Sequence, residues 1–157
     1  MKWKHHTIFA ASTAYLFGLD LAEVVYCACL TNLPDQMETV GPVRLFRHRT
    51  WTHDLGLWGG ACTCLFFLAM SQAVPERFVV RIWVVPLPGV MHLLGDVLTP
   101  CGIRFLGKKI RFPLFKTGSF GEWLFVALAG LTALLVALSQ STWIMSCISL
   151  LKGIGRP

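Results

Sequence analysis

Three apolar runs, residues 55–74, 78–98 and 123–138, constrain this chain more than any other feature, and the last can continue toward residue 151. Crossing a hydrocarbon layer about 30 Å thick takes roughly 20 apolar residues in a helix. Runs of this length are too apolar for the surface of a 157-residue soluble domain, and the mean hydropathy of +0.62 with 55% hydrophobic residues points the same way. The expected fold is an all-α integral membrane protein, one membrane-embedded domain over residues 1–157. Pro86 and Pro88 fall inside the second run and predict a kink there, with the freed carbonyls satisfied inside the protein.

The first apolar region, 6–32, does not read as a fourth straight span. Gly18 interrupts it, and Asp20 and Glu23 would stand near mid-membrane, where ionised carboxylates cost several kcal/mol. Two short helices forming a re-entrant hairpin avoid this, with Asp20 at the tip and Glu23 facing protein, Arg81 being its nearest candidate partner. The hairpin also orients the chain. It puts ten Lys and Arg on the face shared by the N-terminus and the loops 31–54 and 99–121, against four on the other. That bias makes the ten-residue face cytoplasmic, in a bacterial-type inner membrane crossed several times.

The basic excess, 14 Lys and Arg against 8 Asp and Glu, needs no nucleic acid, because the basic residues stand between apolar runs and anionic headgroups are sufficient partners. Five of the six cysteines, Cys27, Cys29, Cys62, Cys64 and Cys147, lie within apolar runs and read as small buried hydrophobes. Their Cys-x-Cys spacing points the two thiols of each pair to different sides of a helix, so no metal role falls to sulfur.

The remaining polar residues gather at helix ends. His6 opens the hairpin and Asp35 follows it in Leu33-Pro34-Asp35. His48 and His53 precede the first long run in His48-Arg49-Thr50-Trp51-Thr52-His53. His92 and Asp96 close the second, and Glu122 opens the third. In the hairpin topology all of them share one membrane face. The i, i+4 pair His92 and Asp96 carries the strongest local signal, since that spacing puts imidazole and carboxylate on one helix face. Thr99-Pro100 then ends the helix and leaves Asp96 near water. Taken singly, each has an ordinary structural role: Thr52 as a helix cap, Asp54 as a favourable first-turn charge, Asp35 as a turn residue, Glu122 as an acidic helix start. Taken together, neutral imidazoles and carboxylates at one face suit a divalent metal, zinc before manganese or iron.

In these blocks the chain resembles the YdjM-like membrane-bound metal-dependent hydrolases. That family shows an early histidine, then Leu-Pro-Asp-x-Asp-His, His-Arg-x-x-Thr-His, His-x-x-x-Asp-x-x-Thr-Pro-x-Gly, and a late Gly-Ser-x-x-Glu. Here His6, Leu33-Pro34-Asp35, His48 through His53, His92 through Gly102, and Gly118-Ser119 with Glu122 follow in the same order. One block departs: Asp35-Gln36-Met37-Glu38 lacks the second aspartate and the histidine, and Glu38 supplies an oxygen as a partial substitute. The resemblance implies hydrolysis of a phosphoester or a lipid-headgroup ester by a metal-activated water. Its expected ligands are His48, His53, His92 and Asp96, joined by His6 and Asp35. Glu122 is expected as a further ligand or general base, and Arg49 as a holder of substrate phosphate. Membrane lipids are the expected partners. Two rivals remain, a non-catalytic membrane assembly protein with a structural metal and a transporter.

Overall fold

The computed structural model describes residues 1–40, 43–44, 51–71 and 81–154, with the backbone alone at 39–40, 43–44 and 141–154. His48 and Arg49 lie outside the described residues, as do the end of the first apolar run and the beginning of the second.

The chain is mostly helical. Helix α1 (Trp3–Leu16) runs out, the chain turns over residues 17–20, and α2 (Leu21–Leu30) returns against α1. Asp20 ends the turn by capping α2. Its side chain accepts from the Glu23 amide at 2.9 Å, while the Asp20 amide donates back to Glu23 Oε2 at 3.3 Å. Glu23 then binds Arg81 in a fork, accepting at Oε1 from the Arg81 amide (3.1 Å) and Nε (2.7 Å), and at Oε2 from the guanidinium (2.5 Å). The turn-tip position of Asp20 and the Glu23–Arg81 partnership are those expected from sequence. Around them Ala10, Ala14, Leu19, Cys27, Val84 and Met91 form a buried apolar cluster, with Tyr26, Trp83 and Leu87 packed against it.

A single-turn helix, α3 (Leu33–Gln36), follows α2 and starts with Pro34 in its first turn, where the missing amide costs nothing. Two short strands, β1 (Thr39–Val40) and β2 (Val43–Arg44), pair antiparallel. A 3-10 turn over Trp51–His53 leads into α4 (Leu55–Met70), which Asp54 caps by accepting from the Gly56 amide at 2.8 Å. Asp54 therefore caps this helix, not Thr52, whose hydroxyl is used elsewhere.

The second apolar run differs from its expected form. In place of a continuous kinked helix there is a 3-10 turn over Ile82–Val84 and then α5 (Leu87–Val97), with Pro88 in the first turn of α5. The prolines start a helix here because neither needs an intrahelical donor at that position. The chain is also not all-α: β3 (Ile103–Phe105) and β4 (Lys108–Ile110) form a second antiparallel hairpin, docked on α4 and α5.

The last element, α6 (Phe120–Ile154), contains the one described helix long and apolar enough to cross a membrane, Phe120–Gln140, with mean hydropathy 2.0. Leu124, Leu128, Leu131, Leu135 and Leu138 are exposed along it, the reverse of what the core helix of a soluble domain shows.

Candidate metal centre

Five side chains from four elements converge between α1, α3, the Trp51–His53 turn and α5. From α5, His92 Nε2 lies 3.8 Å from Asp96 Oδ2, so the i, i+4 pair does share a face, and 3.8 Å from Asp35 Oδ1. His53 Nε2 stands 3.2 Å from Asp35 Oδ1 and 3.9 Å from Asp96 Oδ2. His6 Nε2 reaches Asp96 Oδ1 at 3.3 Å, and its ring stacks on His92 with centroids 3.9 Å apart. Two triads result, His6, His92 and Asp96, and Asp35, His53 and His92, each with its ligand atoms within 4.8 Å of one another. Bonds of about 2.0–2.1 Å in a tetrahedron put neighbouring ligand atoms about 3.4 Å apart; the His6–Asp96 and His53–Asp35 pairs stand at 3.3 and 3.2 Å, and the other three are about half an ångström wider.

Sequence explains why α1 approaches α5 so closely. A Cβ at Gly95 would lie 3.0 Å from His6 Nδ1 and 2.7 Å from Met1 Sδ. Only glycine at 95 leaves room for the imidazole and for the chain start beyond it. The Met1 amino group forms an ion pair with Asp96 Oδ1 at 2.6 Å, a partner that no spacing rule indicates.

The centre is deeply buried. His53 and His92 are fully buried, and His6 and Asp96 retain 1% exposure. This corrects the expectation that Asp96 stands near water, because the Met1 amino group and the His6, His53 and His92 rings close around its carboxylate. The Asp35 side chain is the most open member at 18%, and its Oδ2 accepts from Trp3 Nε1 at 3.1 Å.

Glu38 has a role that sequence left open. It is buried, accepts from the Thr52 hydroxyl, and lies 3.0 Å from His53 Nδ1. A carboxylate only accepts, so Nδ1 carries the proton and Nε2 is left as the lone-pair nitrogen aimed into the cluster. An acid behind the ring in this way fixes both tautomer and ring direction.

Glu122 lies in a separate group. It takes the Lys2 amide at 2.8 Å and His5 Nδ1 at 2.5 Å on Oε1, and the Gly118 amide on Oε2. Its oxygens clamp the start of α6 to the start of α1 and are absent from both triads, so the expected ligand or base is an anchor. His5 was invisible to spacing arguments because it faces away from its neighbour His6.

The decisive feature is what the cluster lacks. His6 Nδ1, both ring nitrogens of His92 and Asp35 Oδ1 are buried with no hydrogen-bond partner among the described residues. Leaving one such group unsatisfied costs about 1–3 kcal/mol, and native interiors rarely concentrate several in one place. The donor set, neutral imidazoles with carboxylates, suits zinc, manganese or iron.

No protein-family model, curated protein or solved structure matches the chain.

Proposed function

We propose that the chain is a membrane-bound, metal-dependent hydrolase acting at the cytoplasmic face of a bacterial-type inner membrane. The observation that carries this is His92: fully buried, without a hydrogen-bond partner on either nitrogen among the described residues, and facing two carboxylates at 3.8 Å. His6, His53, His92, Asp35 and Asp96 would hold the metal, with zinc preferred and manganese or iron as alternatives. His48 and Arg49 keep their expected roles as a further ligand and a phosphate holder. A bound metal of this kind supplies Lewis-acid polarisation of an ester or phosphoester oxygen and makes water nucleophilic near neutral pH.

The chain's own residues define the rest. Glu38 keeps His53 Nε2 pointing inward. Asp35, the most open of the cluster, marks the side from which substrate arrives. The exposed apolar face of α6 supports residence in the bilayer, with α4 and the 82–97 segment as the shorter crossings. The ordered blocks shared with the YdjM-like family support a phosphoester or lipid-headgroup ester as substrate.

The test is elemental analysis of detergent-purified protein, followed by hydrolysis assays on a chromogenic phosphodiester and on dispersed phospholipid. Stoichiometric metal that is lost, together with hydrolysis, in His92→Ala and Asp96→Ala is the expected result. Absence of metal after reconstitution with zinc, manganese and iron would sink it. One observation favours a second reading: a centre closed on all sides except Asp35 also fits a structural metal in a non-catalytic assembly protein. Stoichiometric metal with no hydrolysis of either substrate would select that alternative.

A further inference from the structure

The β3–β4 hairpin carries a leucine where a water-facing turn would carry asparagine. Phe105 pairs with Lys108, so Leu106 and Gly107 form a two-residue connection. Both have positive φ, 48° and 79°. Such turns favour Asn-Gly, because a branched apolar side chain gains nothing there and strains the left-handed backbone. Leu106 is nonetheless 75% exposed. A strained, exposed residue persists only where its surroundings hold it in place, and here Asp54 does so. Its Oδ1 accepts from the Leu106 amide and its Oδ2 from the Gly107 amide, each at 3.1 Å, while the same carboxylate caps α4. The tip is thus locked at the first turn of α4, with Leu106 Cδ2 2.9 Å from where a Cβ on Gly56 would sit.

The chain around the tip has one composition throughout. Between residues 97 and 121 there is no Asp or Glu, while Arg104, Lys108, Lys109, Arg111 and Lys116 are all exposed. Phe105, Phe112 and Leu114 are exposed among them. Cations interleaved with apolar and aromatic groups, beside the end of an apolar helix, match a headgroup layer over hydrocarbon.

We propose that the β3–β4 hairpin and the segment after it form an interfacial paddle that binds anionic phospholipid, with Leu106 and Phe112 entering the acyl boundary and Lys108, Lys109 and Arg111 pairing with phosphates. The inference rests on the membrane residence proposed above and adds the lipid class and the surface that reads it. The paddle is joined to the metal centre, since Asp54 follows His53 directly, and the segment after β4 is hydrogen-bonded to the end of α5 just beyond Asp96. An anionic headgroup held there lies beside the centre.

The test uses the full chain in detergent, mixed with equal amounts of phosphatidylglycerol and phosphatidylcholine, with retained lipid counted by native mass spectrometry. Each basic residue near an anionic surface is worth roughly a fivefold preference, so the unmodified chain should retain phosphatidylglycerol over phosphatidylcholine by at least about fivefold. Lys108→Glu with Lys109→Glu should bring the two to parity with metal content unchanged, whereas Lys152→Glu, toward the far end of α6, should keep the preference. Leu106→Asn, which suits the turn and so preserves the hairpin, should lower retention of both lipids. Equal retention of the two lipids by the unmodified chain would overturn the proposal, as would displacement of phosphatidylglycerol by a short oligonucleotide. Loss of all lipid retention from the unmodified chain would instead count against membrane residence itself.

Discussion

The α1–α2 hairpin buries a polar group at each end, and the two are built in opposite ways. At the turn, Glu23 is fully buried, yet both its oxygens have donors from Asp20 and Arg81. At the open end, His92 is equally buried and neither of its nitrogens has a partner among the described residues. Polar burial alone therefore says little about function. The first site is closed by its own chain and is explained as a staple between α2 and the segment before α5. The second keeps buried ring nitrogens without a partner among the described residues, and under the proposed function a metal bound by imidazole and carboxylate together would complete it.

The largest expected effect tests that difference directly. If the open end holds a metal, chelation should destabilise the unmodified chain, by about 4 kcal/mol where free metal had stood a thousandfold above its dissociation constant. Thermal unfolding in detergent, with chelator and after zinc is restored, reads the shift. His92→Ala should unfold at one temperature in both conditions. A chelator shift of equal size in that variant would place the metal elsewhere and break the comparison.

A smaller effect concerns the ring behind which Glu38 sits. Glu38→Gln keeps the shape but can present its amide to His53 Nδ1, which favours the wrong tautomer. Carboxylates that orient a ligating histidine are worth about 10–100-fold in metal affinity. Competition against a chromogenic chelator should show a loss in that range, with the fold preserved by circular dichroism. Unchanged affinity would reduce Glu38 to a buried acid satisfied by Thr52.

What could be read from sequence follows from the range of the interactions involved. The hairpin was legible because Gly18, Asp20 and Glu23 cannot share a straight span, and the His92–Asp96 face was legible because helical spacing is local. Glu38, His5 and the Met1 amino group were not, since each gains its role from a partner far away in sequence: His53, Glu122 and Asp96 respectively. Glu122 misled for the same reason, because an acid at a helix start looks alike whether it faces a metal or clamps a neighbouring backbone. The prolines misled differently: Pro86 and Pro88 break an apolar run equally well by kinking a helix or by starting one. The β3–β4 hairpin was hidden by a turn built on Leu106, where turn statistics look for asparagine.

The smallest effect sharpens the comparison from its closed end. Glu23→Gln removes the charge and leaves one oxygen, which can accept from the Arg81 amide or the Asp20 amide but not from both, since these donate to different oxygens of the carboxylate. Arg81 is half exposed, its side chain retaining 51% of its accessibility, so its guanidinium can return to water and solvent screening trims the loss. The expected cost is about 1 kcal/mol, read as a modest fall in the unfolding midpoint. Metal content should stay unchanged, because the staple and the cluster lie at opposite ends of the hairpin and share no side chain. A variant that loses its metal would show that the ion pair sets the angle at which α1 delivers His6, and the two ends would then have to be treated as one unit.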